Sequence, residues 1–254
     1  MTQVKNLKDL PTLSKLGTTN SLLATENATG KSYRMSAANL KTELGSISID
    51  DVMDNVFIMC HRSSDSSPVC YRPSEWATQE AAGNVATGVL LIDGGRKLVI
   101  APQEKTSTWS TCQIVCGTDS SDRLAVQELY NGKENCAKIL TNTTLAAEGD
   151  ASAVGWCNAY ERIDAGGKGL KAGAWWLPSL GELYLIFANF TKINYALSKI
   201  SGATLLSRTG YWSCTEYSTT HAWFLNFNNG NQNGSLKFKF QYRVRPVSAF
   251  ASAT

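Results

Sequence analysis

The chain of 254 residues carries two histidines, six prolines and only 18% charged residues. His61 and His221 sit far apart in different segments, so no Ser/His/Asp arrangement can be argued. No apolar run approaches the roughly eighteen residues of a membrane span, and Met1 to Asn6 lead into nothing resembling a signal peptide. The expectation is a chain kept in a cytoplasm, or exported without a cleaved signal. A net charge of +3 is too mild to argue for nucleic acid or a membrane surface. Cys60, Cys70, Cys112, Cys116, Cys136, Cys157 and Cys214 form an odd, irregular set with one close pair and no zinc spacing. They read as reduced, half-buried small apolar residues rather than a disulfide framework.

What is present is a succession of strand and helix signals long enough to bury a core. Val56 to Cys60 reads as a buried strand, and His61 to Pro68 as a Ser/Asp/Pro loop with His61 at the surface. Val89 to Ile100 holds two β-rich runs around Asp93-Gly94-Gly95, which supplies the positive φ angles of a tight hairpin. Trp109 reads as core. Gly132 to Leu140 and Ala151 to Ile163 read as helices. The glycine-rich stretch Asp164 to Gly173 lacks a P-loop spacing and reads as a loop feeding a Trp175-Trp176 strand. A further helical pattern places Ile193, Leu197 and Ile200 on one face, closed by Gly202.

The most specific stretch is Trp175-Trp176-Leu177-Pro178-Ser179-Leu180-Gly181-Glu182-Leu183. Ser179 precedes Glu182 by three residues, the reciprocal box that satisfies orphan amides at a helix start. Tyr211 to Tyr217 and Ala222 to Phe227 read as two strands. In the second, Trp223, Leu225 and Phe227 point inward and Phe224 and Asn226 outward. The Asn/Gly run 228–234 reads as a plain hairpin connector. In the last strand, alternation buries Phe238, Phe240, Tyr242 and Val244 and exposes Lys237, Lys239, Gln241, Arg243 and Arg245, unless a bulge reverses it. Arg208, Lys237, Lys239, Arg243 and Arg245, against Glu216, make the face from 208 to 245 basic.

W-x-L-P-S-x-x-E-L, Y-W-S-x-T-E and the closing Val244-Arg245-Pro246-Val247-Ser248-Ala249-Phe250 resemble the C-type-lectin-like domains of phage receptor-binding proteins. More narrowly, they resemble the retroelement-diversified variable proteins of the major tropism determinant type, whose wider relatives share the formylglycine-generating-enzyme fold. The resemblance covers the last half of the chain well. It implies an α+β, C-type-lectin-like domain over 56–254, a linker at 46–55, and a virion-attachment and trimerisation segment at 1–45. That first segment shows a strand, a turn at Asn27 to Gly30, a second strand and a helix from Ser36 to Leu44. It looks like the amino-terminal segments of tail fibres, although a self-packing extension of the next domain fits as well.

Variable proteins of this kind scatter asparagines and aromatics in a fixed frame. Carried over position by position, the variable, ligand-binding face is Tyr217, Thr219, Thr220, His221, Phe224, Asn226, Asn228, Asn229, Asn231, Gln232, Asn233, Ser235, Leu236, Phe238, Phe240 and Tyr242. The implied partners are a bacterial cell-surface receptor, protein or glycan, and phage tail or baseplate proteins. A homotrimer in the virion is implied too, with no nucleic acid and no membrane insertion. No matching copper-binding cysteine pair stands on this face, so catalysis is not expected. The calcium-dependent sugar motifs of animal C-type lectins are missing, so no cofactor is expected and a structural calcium has no motif behind it. The rival reading is a bacterial surface or pilus-tip adhesin of the same fold.

Overall fold

The structure, a computed structural model, describes residues 21–25, 32–36 and 55–250. It divides into two units, Met1–Val52 and Met53–Thr254. In the first, β1 (Ser21–Thr25) and β2 (Ser32–Ser36) pair antiparallel, with Ser21 opposite Ser36 and Thr25 opposite Ser32. The expected helix beyond Ser36 and the expected linker, apart from Asn55, lie outside the described residues.

The second unit is α+β. It opens with β3 (Val56–His61), β4 (Pro68–Tyr71) and the short helix α1 (Trp76–Ala81). The hairpin β5 (Gly88–Asp93) and β6 (Arg96–Ile100) turns as expected at Gly94 and Gly95, whose φ angles are 54° and 77°. Positive φ at both central residues matches the right-handed twist of the flanking strands. Next come β7 (Lys105–Ser107) and the helices α2 (Gly132–Leu140), α3 (Thr143–Ala146) and α4 (Ala153–Ala159).

The helix expected to reach Ile163 therefore ends earlier. Tyr160 caps α4 in the extended conformation, at φ −63° and ψ 138°. The chain then forms a small hairpin of β8 (Arg162–Ile163) and β9 (Gly169–Leu170). Gly169 permits it: its φ is 140°, and a Cβ there would lie 2.1 Å from the Arg162 carbonyl oxygen. The glycine-rich stretch is thus a hairpin rather than a loop after a helix.

β10 (Trp175–Trp176) and Pro178 lead into α5 (Leu180–Ala188), and the expected capping box of Ser179 and Glu182 is formed. Burial pushes the Glu182 carboxyl up despite acceptance from the Ser179 amide at 2.8 Å and the Trp176 indole at 3.2 Å. α6 (Phe190–Leu197) buries Ile193 and Leu197 and gives way to Gly202, whose φ is 73°. The chain closes with β11 (Gly210–Glu216), β12 (His221–Asn226), β13 (Gln232–Leu236), β14 (Tyr242–Val244) and β15 (Val247–Ala249).

Two sheets result. One is ordered β10-β15-β6-β5-β3-β4 and the other β13-β12-β11-β14-β7. The larger of two apolar clusters joins them, with Trp76, Trp109, Trp212 and Trp223 among its buried members, and a smaller one gathers Met59, Leu90, Val99, Tyr160 and Trp175. Large aromatic side chains suit a domain whose strands are short, because each contributes a large apolar area. The seven cysteines are free, five of them buried.

His61 is not a loop residue. It ends β3, pairs across to Pro68, and its Nδ1 lies 2.8 Å from the Thr87 hydroxyl. Burial holds its imidazole below the usual value of 6.5, against a smaller upward pull from Asp164. Its charged form is therefore disfavoured in the folded state, so its contribution is complete above pH 6.5 and is lost as pH falls below it. The expected outcome is that His61→Gln flattens the decline of the urea midpoint below pH 6.5; an unchanged slope contradicts this assignment.

Candidate functional site

Alternation along β12 sets the site. Trp223, Leu225 and Phe227 are buried as expected, while Phe224 and Asn226 face the other side, half-exposed. Phe224 stands opposite Trp212 on β11 and opposite Asn233 on β13. Its ring stacks on Tyr242 at 4.4 Å, and Tyr242 lies nearly parallel to Phe240 at 6.3 Å. The Trp212 indole meets Tyr242 edge-on at 4.7 Å from beneath. Gly210 makes room for this row, since a Cβ there would lie 2.6 Å from the Tyr242 ring. A rank of aromatics thus runs from the hairpin across β14 to an exposed turn.

That turn reverses the polarity that simple alternation assigns. The chain from 237 to 245 is no single strand: β13 ends at Leu236, a turn follows, and β14 starts at Tyr242. Lys237 is fully buried, whereas Phe238 and Phe240 are 40% and 43% exposed. The Lys237 ammonium pairs with Glu216 Oε1 and donates to the carbonyls of Ile114 at 2.9 Å and Thr219 at 3.2 Å. It also sits 4.7 Å from the centre of the Trp109 ring. Glu216 Oε2 accepts from the backbone amides of Cys116 at 2.9 Å and Gly117 at 2.6 Å. Three donors on one side and both oxygens on the other are satisfied, the condition under which a buried pair is tolerated.

Arg245 is buried in the same way. Its guanidinium holds Glu104 Oε2 at 2.7 Å and donates to the carbonyls of Ala101 and Thr204. The Tyr211 hydroxyl donates to the same carboxylate at 2.9 Å, and burial beside it pushes that phenol up to about 12. The expected basic face is therefore smaller than its sequence suggests. Lys237, Arg245 and Glu216 leave it, and the exposed cations are Arg208, Lys239 and the half-exposed Arg243, 3.5 Å from Glu104.

Two of the expected ligand-binding positions are corrected. Gln232 is buried, with its amide nitrogen donating to the Arg123 carbonyl at 2.6 Å. Ser235 is buried, its hydroxyl 3.4 Å from that of Tyr242. Both positions face packed neighbours because loop 118–125 and β14 cover the hairpin there, which no local pattern reveals. The remaining positions retain exposure but do not form one face. Tyr217 packs on Trp223 at 4.9 Å and near His221 at 6.1 Å, and its ring occupies the space above Gly234. With Leu236 opposite His221, these lie across the sheet from Phe224. Thr219 and Thr220 join them in the loop before β12, where the Thr220 hydroxyl lies 2.8 Å from His221 Nδ1.

The amide run does turn the chain. Asn226 Oδ1 accepts from the Asn228 amide and Asn229 Oδ1 from the Asn231 amide, with Gly230 at φ 73°. Asn226 and Asn229 thus work for the turn, as the connector reading expects. The turn is displaced, however: Gln232, Asn233 and Gly234 belong to β13. Sequence reasoning missed the loop around Ile114, more than a hundred residues from Lys237 in the chain. It carries no local signal, because it reaches the site only through the fold.

Cys116, beside Glu216, has its thiol pushed up to about 11 by burial and by that carboxylate, so it stays protonated at neutral pH. Among the described residues no group of three or more His, Cys, Asp or Glu is placed to hold a metal ion. No described helix is long and apolar enough to cross a membrane.

No family model matches this chain, and no curated protein matches it. Among solved structures it is similar to a fimbrial protein from Bacteroides ovatus ATCC 8483, with a TM-score of 0.40 and 18% identity. The match covers 61% of this chain and 36% of that one, so it spans about a third of the neighbour's length.

Lys237→Met leaves Glu216 buried without its cation and is expected to destabilise the unit by about 3–5 kcal/mol. Phe238→Ser, at the very next residue but on the surface, is expected to stay within about 0.5 kcal/mol. Chemical denaturation of both variants checks the contrast; equal losses contradict the buried placement of Lys237.

Proposed function

We propose that the second unit is a C-type-lectin-like recognition domain. It binds a bacterial surface receptor through the aromatic rank of Phe224, Tyr242 and Phe240, together with the exposed Phe238 of the same turn. One observation carries this reading: two phenylalanines stand at 40% and 43% exposure beside a lysine that the fold buries completely. A solvated connector has no use for that arrangement, since the lysine in solvent and the phenylalanines in the core cost less. Aromatics at the surface, with Asn233 opposite Phe224 and the Lys239 ammonium 5.7 Å from the Phe240 ring, have the composition of a contact surface: area at low entropy cost, with adaptable polar neighbours.

In this reading the protein acts at a phage fibre tip. Residues 1–45 attach it to tail or baseplate proteins, and a homotrimer multiplies weak contacts. It has no catalytic step and no cofactor. The variable positions are narrowed to the exposed ones, since changing Gln232 or Ser235 disturbs packing rather than contact.

Phe238→Ala combined with Phe240→Ala is expected to weaken binding to receptor-bearing cells by about 30-fold or more, as for anchor residues worth about 2 kcal/mol or more. The thermal midpoint is expected to stay near that of the parent chain. Binding unchanged by the double substitution removes the aromatic rank from the reading. Sequencing the surrounding DNA tests diversification separately. A reverse-transcriptase gene and a near-copy of this region differing only at adenines support it, while pilus genes there replace the phage setting with a bacterial adhesin.

A further inference from the structure

The chain contains three Asn-Gly pairs, Asn131-Gly132, Asn229-Gly230 and Asn233-Gly234. A glycine after asparagine offers least hindrance to attack of its backbone nitrogen on the side-chain amide carbon. What decides between the three is the engagement of that nitrogen. We propose that Asn233 is a self-modification site, deamidating through a succinimide closed by the Gly234 nitrogen, while Asn229 and Asn131 are protected by the fold.

The argument starts from the ladder. Asn226 donates to the Asn231 carbonyl, and Lys237 donates to the Thr220 carbonyl, so Asn226/Asn231 and Thr220/Lys237 are hydrogen-bonded pairs. Such pairs alternate along an antiparallel ladder. Trp223 and Gly234 face each other in the intervening, non-bonded register. The Gly234 N–H therefore points away from β12. β13 is the edge of its sheet, so no further strand receives that N–H. It bonds instead to Oδ1 of its own neighbour Asn233 at 2.9 Å. Because the amide carbon is one C=O bond, about 1.2 Å, from that oxygen, nucleophile and electrophile already lie close together. Asn233 is exposed, so water and hydroxide reach the pair.

The other two pairs lack this freedom. The Gly230 N–H donates to the Asn226 carbonyl at 2.8 Å inside the turn. Asn229 Oδ1 is held by the Asn231 amide, and the Phe187 ring closes over Gly230. Gly132 is buried at the start of α2, and its amide bonds to the Glu182 carboxylate.

In the reaction, hydroxide removes the Gly234 amide proton and the nitrogen attacks Cγ of Asn233. A C–N bond forms and the Cγ–Nδ2 bond breaks. The amide NH2 takes up a proton and leaves as ammonia. Water then opens the ring at either carbonyl, giving aspartate or isoaspartate, so the only co-reactant is water. The product places a carboxylate opposite Phe224. In its iso form it also adds a methylene to the β13 backbone, which upsets the alternation that separates the two sides of the hairpin. None of this depends on the receptor reading.

The test is peptide mapping of the full chain after incubation in mildly alkaline buffer, folded and in denaturant, scoring the one-dalton gain and the isoaspartate form at each pair. In the folded chain Asn233 is expected to convert at least about fivefold faster than Asn229 or Asn131, the factor that one net hydrogen bond on the attacking nitrogen represents. In denaturant the three rates are expected to converge. Equal or faster conversion at Asn229 in the folded chain overturns the proposal. So does an Asn233 that stays intact when folded while the denatured chain converts it.

Discussion

Lys237 and Glu216 meet in a place sealed from water, and four separate stretches of chain converge on them. Glu216 ends β11, Lys237 follows β13, Thr219 belongs to the loop between β11 and β12, and Ile114, Cys116 and Gly117 come from a loop a hundred residues earlier. A pair like this adds little net stability over a well-packed apolar pair, but breaking it strands a charge. Its consequence is directional. Once Lys237 is committed inward, the turn that follows carries Phe238 and Phe240 outward. The Arg245–Glu104 pair fixes the far end of the same segment, joining β14 to the chain around Ala101 and Thr204. Between these two anchors Phe238 and Phe240 stay at the surface, while Tyr242 packs against Trp212.

Much of the fold was legible because its signals are local. The box of Ser179 and Glu182, the Asp93-Gly94-Gly95 turn, the inward triplet of Trp223, Leu225 and Phe227 and the helix Gly132–Leu140 each follow from a few neighbouring residues. The errors share an opposite origin. Polarity alone places a lysine and an arginine in solvent, and only carboxylates distant in sequence, Glu216 and Glu104, make their burial possible. Gln232 and Ser235 failed as surface positions for the same reason. Their covering elements, the loop at Arg123 and β14, arrive from elsewhere in the chain. The second helix was overextended because Gly169 lets the chain fold back at Arg162, a tertiary contact that a helical pattern does not register.

The candidate site was legible in membership more than in shape. Its aromatics and amides were recognisable from composition, and most of them do retain exposure. Strand alternation then divides them, with Phe224 and Tyr242 on one side and Tyr217, His221 and Leu236 on the other. A ligand engaging the aromatic rank does not touch both. The structure thus divides a list of sixteen positions into an aromatic side, an opposite side around His221, an asparagine turn and two buried residues.

The direction of Lys237 is the point on which this account rests, and amine labelling of the folded protein tests it most directly. Brief acetylation followed by peptide mapping compares Lys237 with Lys239, two residues away and exposed. The account predicts rapid modification of Lys239 and protection of Lys237 until the protein is unfolded. Comparable labelling of both in the folded protein contradicts it, and returns Phe238 and Phe240 to the core.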